Sequence, residues 1–438
     1  MRRATITTTA LFLCLIQFAQ ARDNLEPLHD AVAAIEPQVI AWRRDLHQHP
    51  ELSNREFRTA GLVADHLRKI GVDEVRTGIA HTGVIGVLKG GKPGPVIALR
   101  ADMDGLPVRE QTGLPFASQA KGEYNGEEVY VMHACGHDTH VAMLMGAAQV
   151  LAENREQLAG TVHFIFQPAE EGAPAGEEGG AALMIEEGVL DGPAAPEAIF
   201  GIHAWPVRAG TLAYRYGPFM AAADTFRIDI RGRQTHGSAP WSGVDPIFVA
   251  AQIMTAAQAI PSRQLDVTRG PAVITIGSIH GGVRHNIIPD DVVMLGTIRT
   301  FDAGVREKLH ARLRKTITNI AEASGATATL TMEAYAPVTG NHPQLLREMM
   351  PALEWAAGAD NVVEHPLITG AEDFSRFQIR IPGLYLMLGV AKDGQQPGQG
   401  PANHSPMFDS NEDALIVGVR AHVGFAMGYS SRNRQASR

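Results

Sequence analysis

At 438 residues, with 45% hydrophobic and 19% charged residues, 45 glycines and 26 prolines, the chain has the composition of a folded globular protein of about two or three domains. That excludes a disordered polymer and a collagen-like repeat. A formal net charge of −9 without any Lys/Arg cluster also argues against a nucleic-acid partner, because phosphate contacts need a basic footprint.

Arg2 and Arg3 precede the apolar run from Ala10 to Ala19, which leads into Ala19-Gln20-Ala21. A basic start, a short apolar stretch and a small-x-small site read as a secretory signal cleaved after Ala21. The mature chain is then expected in the periplasm or outside the cell. It has no membrane role, since the run is too short to span a bilayer. Cleavage removes two arginines and no acid, so the mature charge is more negative still. Cys14 leaves with the signal, so Cys135 remains as a lone thiol with no disulfide framework. A lone thiol in an oxidising compartment is expected to be buried or bound to a metal.

Along the mature chain, Leu28 to His47 has helical spacing, with Pro27 and Pro37 at the first turns of two consecutive helices. Ser53-x-x-Glu56 has the pattern of a capping box opening a helix to about Gly71. Val84 to Leu88 and Pro95 to Ala101 read as buried strands, and Asp138 to Glu153 as a helix. Thr161 to Phe166 is a strand, Ala181 to Glu187 a helix and Ile199 to His203 a strand, an alternation that predicts an α/β sandwich. From Thr225 to Met332 the order is strand, helix, strand, strand, helix, strand, which is ferredoxin-like (βαββαβ). After Pro337 the larger pattern resumes with helices at Pro343 to Ala357 and Asp413 to Gly428. The expected organisation is a signal at 1–21, a catalytic α/β domain in two parts at 22–222 and 338–430, an inserted domain at 223–337, and a tail at 431–438.

The chemistry concentrates at strand ends. Met132-His133-Ala134-Cys135-Gly136-His137-Asp138-Thr139-His140 places a Cys and a His two apart at the mouth of a helix, where both can reach one ion. Thiolate and imidazole suit Zn²⁺ or a related metal, although a structural site or a buried thiol explains that pair equally well. His133 and His140 read as supporting residues. Glu170 and Glu171 follow a strand directly, so one carboxylate can bind metal while its neighbour serves as general base. His203 closes another strand, and His404 lies in a Gly/Pro-rich loop. Cys135, His137, Glu171, His203 and His404 make a set large enough for two metals. Asp102 and Asp104 end a third strand and can orient ligands, so Asp104 joins the catalytic candidates.

Five segments occur in one order: Arg100-Ala-Asp-Met-Asp-Gly-Leu-Pro107, Met132-His-Ala-Cys-Gly-His-Asp138, Gln167-Pro-Ala-Glu-Glu-Gly172, Gly201-Ile-His-Ala-Trp-Pro206 and Gly370-Ala-Glu-Asp-Phe-Ser375. Over nearly the whole mature chain they resemble the amidohydrolase branch of the aminoacylase and carboxypeptidase-type metallopeptidases. That branch contains hippurate hydrolases, N-acyl-amino-acid amidohydrolases and plant indole-acetyl-amino-acid hydrolases. The resemblance implies a zinc-peptidase-like catalytic domain with an inserted lid and dimerisation domain, hence a homodimer. It also implies two divalent metals, Zn first with Mn, Co or Ni as alternatives. Cys135, His137, Glu171, His203 and His404 then match the ligands, with Cys135 bridging, and Glu170 matches the general base. His236, in Gln234-Thr-His-Gly-Ser-Ala-Pro240, matches an oxyanion-stabilising histidine that reaches a partner subunit's site. Asn286, in Arg284-His-Asn-Ile-Ile-Pro289, matches a substrate contact.

The chain departs from relatives outside that branch, which carry His-x-Asp where it has Asp102-x-Asp104. It also has an acidic insert between Glu171 and Gly180 and an extended stretch from Gly394 to Pro401. The expected activity is metal-dependent cleavage of N-acyl amino acids, with a metallo-exopeptidase as the alternative and a non-catalytic binding protein further behind. The expected partner is a small N-acyl amino acid or short peptide.

Overall fold

The computed structural model describes residues 25–392, 394–395 and 399–436. The signal-like segment lies outside these residues, and the Gly394–Pro401 stretch falls partly outside them. Among the described residues no helix is long and apolar enough to cross a membrane. The chain divides into two compact units. Among the described residues, one comprises those up to Gly217, Asn341–His365 and those from Arg376 onward; the other comprises Pro218–Gly340 and Pro366–Ser375.

The first unit is built on an eight-stranded mixed sheet. Its strands are β1 (Glu74–Ile79), β2 (Gly83–Lys89), β3 (Lys92–Asp102), β4 (Ala159–Gln167), β5 (Ile199–Arg208), β6 (Leu212–Tyr214), β7 (Val362–Glu364) and β8 (Gly383–Ala391), in the order β1-β2-β4-β3-β5-β8-β6-β7. The central run β4-β3-β5-β8 is parallel, with Asp102 opposite Gln167 and Met387 opposite His203. Strands covered on both faces read as continuous apolar runs, and β8 is buried at every position.

Helices α1 (His29–Gln48), α2 (Phe57–Lys69), α3 (His137–Glu153), α4 (Pro343–Ala357) and α5 (Leu415–Ala436) pack on this sheet and on one another. α3 is apolar nearly all round and buried from His137 to Ala148, the signature of a core helix. α1 turns Val32, Ile35, Val39 and Leu46 inward.

Two local expectations are corrected. Leu28 to His47 forms one helix rather than two, with Pro37 inside it. Pro37 and Ala33 are both exposed, so water can satisfy the Ala33 carbonyl that loses its amide donor. Ser53 and Glu56 form no capping box, since the α2 N-cap makes no side-chain bond. Their polar atoms face the interior instead: Ser53 Oγ donates to Asp104 Oδ2 at 2.8 Å, and Glu56 accepts from Thr82 Oγ1 and the Ala169 amide.

The second unit carries an antiparallel four-stranded sheet of Ala222–Arg231, Ala272–His280, Asp291–Thr300 and Thr327–Ala336. Numbered in chain order, these strands lie 2-3-1-4 across the sheet, the ferredoxin-like arrangement. Helices Pro246–Arg263 and Ala303–Ala323 complete it over a separate apolar core around Ile228, Ile253, Met294 and Leu313. Asp245 and Asp302 cap the two helices by accepting from amides of their first turns. The segment Pro366–Ser375 returns to this unit, where the Ile368 carbonyl accepts from the Ala221 amide and the Glu372 carbonyl from Thr339 Oγ1.

Candidate active site

The carboxyl ends of β4 and β3, together with His203 within β5, converge on the start of α3, where an open parallel sheet places its site. Gly136 initiates α3 at φ 97°, and a Cβ there would stand 2.8 Å from the Ala204 side chain. Only glycine lets Cys135 and His137 flank that turn closely enough to share a target.

After β4 the chain turns through Ala169, a non-glycine residue at φ 51° whose amide is held by Glu56 Oε1 at 2.9 Å. The turn aims the Glu170 and Glu171 amides at Asp104, onto Oδ1 at 3.1 Å and Oδ2 at 3.0 Å. Asp104 Oδ1 also accepts from His137 Nδ1 at 3.2 Å. That bond leaves His137 Nε2 buried with no hydrogen-bond partner among the described residues. It lies 3.8 Å from Glu170 Oε2 and 3.9 Å from Asp102 Oδ2.

Three groups bring ligand atoms within 4.8 Å of one another: Cys135 with His137 and His203, Cys135 with Glu171 and His404, and His137 with Glu170 and Glu171. His203 Nδ1 donates to the Ala204 carbonyl at 2.7 Å, which makes Nε2 the lone-pair nitrogen, 3.4 Å from Cys135 Sγ. His404, at φ 70°, donates its amide to Ala134 O and sets Nε2 3.0 Å from Glu171 Oε1. Asn403 ties this segment down by donating to the Cys135 and Ala204 carbonyls at 2.9 and 3.1 Å.

Asp102, His137 and His140 also bring ligand atoms this close together. However, His140 Nδ1 donates to Asp102 Oδ1 at 2.5 Å while its Nε2 accepts from the Ala204 amide at 2.7 Å. With both nitrogens engaged, His140 is a brace for Asp102 rather than a ligand. Arg100 makes a further charge-assisted bond to Asp102 at 2.6 Å.

The electrostatics ask for a cation. Burial alone would depress His137, yet the charges and contacts of Asp102, Asp104 and Glu171 overcome it and push its pKa up to about 10. Asp102 stays well below the carboxylate range despite its burial, held there by Arg100, His137 and His140. Asp104 is lowered too, because the His137 contact and the Glu171 amide outweigh burial. Burial pushes the Cys135 thiol well up, with Glu171 and Glu170 adding repulsion, and burial holds His203 neutral. His404 is raised by its contact with Glu171. A pocket that keeps a proton on an imidazole and resists a bare thiolate has a field suited to divalent cations, and Cys, His and Glu are the donors such ions take.

Cys135, His137, Glu170, Glu171, His203 and His404 therefore lie together in the first unit, with Asp104 behind His137 and His133 buried nearby. Burial pushes His133 down to about 4. His236 and Asn286 belong to the second unit, where the Asn286 carbonyl accepts from the Gly237 amide. His236 Nδ1 accepts from the Ser238 amide at 3.0 Å, so the neutral ring carries its proton on Nε2. Sequence reasoning missed the roles of Ser53, Glu56 and Asn403. Of these only Asn403, next to His404 in a loop, carried a usable signal.

Comparison with known proteins places these observations in a family. The model for peptidase family M20/M25/M40 matches residues 98–428. The thermostable carboxypeptidase 1 of Saccharolobus solfataricus is 44% identical over 94% of this chain and 100% of its own length. The N-acetyl-L-cysteine deacetylase of Bacillus subtilis is 38% identical over 88% of this chain and 86% of its own. Among solved structures, the Bacillus subtilis YXEP protein, described as a dinuclear metal binding peptidase from the M20 family, aligns with a TM-score of 0.75. It is 35% identical over 91% of this chain and 99% of that one.

Proposed function

The chain belongs to peptidase family M20/M25/M40 and is a metal-dependent hydrolase of amide bonds, and we propose that it cleaves N-acyl amino acids to a carboxylic acid and a free amino acid. The observation that carries this reading is one cluster, buried except on its His404 side, in which Glu170 Oε2 lies 3.8 Å from His137 Nε2, beside the Cys135, His203, Glu171 and His404 donors. Binding alone needs no such base.

Cys135, His137 and His203 would hold one divalent ion and Cys135, Glu171 and His404 a second, with zinc the first candidate and manganese, cobalt or nickel the alternatives. Bound there, such ions supply Lewis-acid polarisation of a carbonyl and acidify water. Glu170 takes the proton of the attacking water and delivers it to the leaving amine. Asp104 fixes the His137 ring through Nδ1 and holds the Glu170 and Glu171 amides, so it acts as a positioning residue. His236, with its proton on Nε2, is the donor offered to the oxyanion, supplied from a second copy of the chain, and Asn286 is a substrate contact beside it. These two assignments rest on the resemblance of their segments and on the His236 tautomer. The homodimer they require is supported by Trp241 and Phe248, exposed on the inserted unit at 81% and 59%. Export to the periplasm or medium is supported by the Arg2-Arg3 start and the apolar run to Ala19.

A metallo-exopeptidase is the second reading, favoured by the carboxypeptidase named at 44% identity. Amine release from N-acetyl, N-benzoyl and indole-acetyl amino acids and from dipeptides, before and after chelation and metal restoration, decides between them. Metal-dependent cleavage of the acyl amino acids is expected. Cleavage of dipeptides alone would transfer the assignment to the exopeptidase.

A further inference from the structure

Beside the Glu171 carboxylate, within the first unit, lies a cavity of about 230 Å³. Leu52, Leu106, Pro107 and Pro174 give it apolar walls, and Tyr124 and Arg55 stand at its edges. That volume is below the roughly 300–1,000 Å³ of sites that enclose a whole drug-sized ligand, so it suits one end of a conjugate.

Two of its walls are held rigidly. The hairpin Lys121–Tyr124/Glu127–Tyr130 turns through Asn125 at φ 53° and Gly126 at φ 82°. Positive φ at both central positions is the tight turn that matches strand twist, and it fixes Tyr124 at the strand end. The opposite wall is the acidic insert. Arg55 forks onto Glu177, with Nη1 on Oε2 at 3.0 Å and Nη2 on Oε1 at 2.5 Å. Asn54, itself buried, donates to Glu177 Oε2 at 3.1 Å and to the Glu178 carbonyl at 3.0 Å. An ion pair this exposed adds little stability, so a fork seated on the insert is better explained by what it shapes.

The charge of the lining selects the occupant. Arg55 is spent on Glu177 and Glu171 is paired with His404 at 3.0 Å, which leaves Glu123 uncompensated by any other cationic residue lining the cavity. A carboxylate entering would meet like charge, whereas an uncharged group meets leucine, proline and an aromatic ring. We propose that this cavity is the subsite for the uncharged acyl end of the substrate, with Tyr124 and the Arg55–Glu177 fork setting its width and charge preference. The proposal rests on the amide-hydrolysis reading above.

The test is kcat/KM for acetyl, benzoyl and succinyl conjugates of one amino acid, on the full metal-loaded chain, comparing wild type with Tyr124→Ala and Glu177→Gln. Both sites are partly exposed, and metal content with melting temperature checks that each variant is folded. The wild type is expected to favour benzoyl over succinyl by about tenfold or more, Tyr124→Ala to cut the benzoyl-to-acetyl ratio about tenfold through KM, and Glu177→Gln to narrow the benzoyl-to-succinyl gap by a similar factor. A wild type that prefers succinyl, or variants in which all substrates fall in parallel, would overturn the subsite while leaving amide hydrolysis intact. No cleavage of any conjugate by the wild type would instead reject the reading on which the subsite rests.

Discussion

His137 and Asp138 are adjacent at the start of α3, both fully buried, and each sits in a cluster of charges, but the two clusters are balanced differently. Asp138 Oδ2 accepts from Arg43 Nε and from His47 Nδ1, each at 2.9 Å. Arg43 reaches on to Asp409 and Glu412, and His47 to Glu110, while Lys392 and Arg44 supply cations at the edge. Here every acid has a cationic partner from the chain itself. On the other side, Asp102, Asp104, Glu170 and Glu171 crowd around Arg100 and the imidazoles of His137, His140 and His404, whose charge depends on the protons they retain. A cluster that neutralises itself locks the helix and the 409–412 segment in place. One left short of positive charge is built for cations from outside.

The largest effect that sharpens this contrast is expected for Cys135→Ser. Cys135 is shared between two ligand groups, so its loss should weaken metal binding by more than the roughly 10–100-fold that loss of an outer partner costs. Elemental analysis after gel filtration reads this directly, and full stoichiometry would remove Cys135 from the ligand set. Next is Arg43→Met, which strands Asp138 without its main partner. A loss of about 3–5 kcal/mol in denaturant unfolding is expected from a buried pair broken on one side. A cost near that of a surface pair would mean that this cluster is not balanced by Arg43.

The third effect is a pH dependence at Glu56. Burial first, and then the Asp104 charge, raise its carboxyl to about 8 against an ordinary 4.5. The folded state therefore binds more protons between those values. The stability Glu56 contributes is present in full below about 4.5 and is lost as pH rises through about 8. Glu56→Gln, neutral throughout, should remove that decline in chelator-stripped protein. A wild-type minus variant difference that is equal at pH 5 and pH 8.5 would refute a neutral Glu56.

Much of the candidate site was legible in the sequence because its donor residues sit at motif positions next to strong punctuation: Cys135-Gly136-His137 at a helix mouth, Glu170-Glu171 after a strand. The inserted unit was legible from its strand and helix order. What escaped was non-local. β8, nine buried residues of Leu, Met, Tyr, Val, Ala and Gly, has no alternation to mark it as a strand, because both of its faces are covered. Ser53 and Glu56 matched a local capping pattern, but their atoms are used across the fold by Asp104, Thr82 and Ala169. The return of Pro366–Ser375 to the second unit depends on pairing with residues some 150 positions earlier, such as the Met220–Ile368 bridge.

If Glu170 is the base, the Cys135, His137, Glu171, His203 and His404 groups hold metal without it. Glu170→Gln, purified with its metal and assayed for amine release and metal content on the same sample, tests it most directly. Unchanged metal stoichiometry with kcat lowered by about 10²–10⁴-fold is the predicted result. Near wild-type turnover with the metals in place would contradict it.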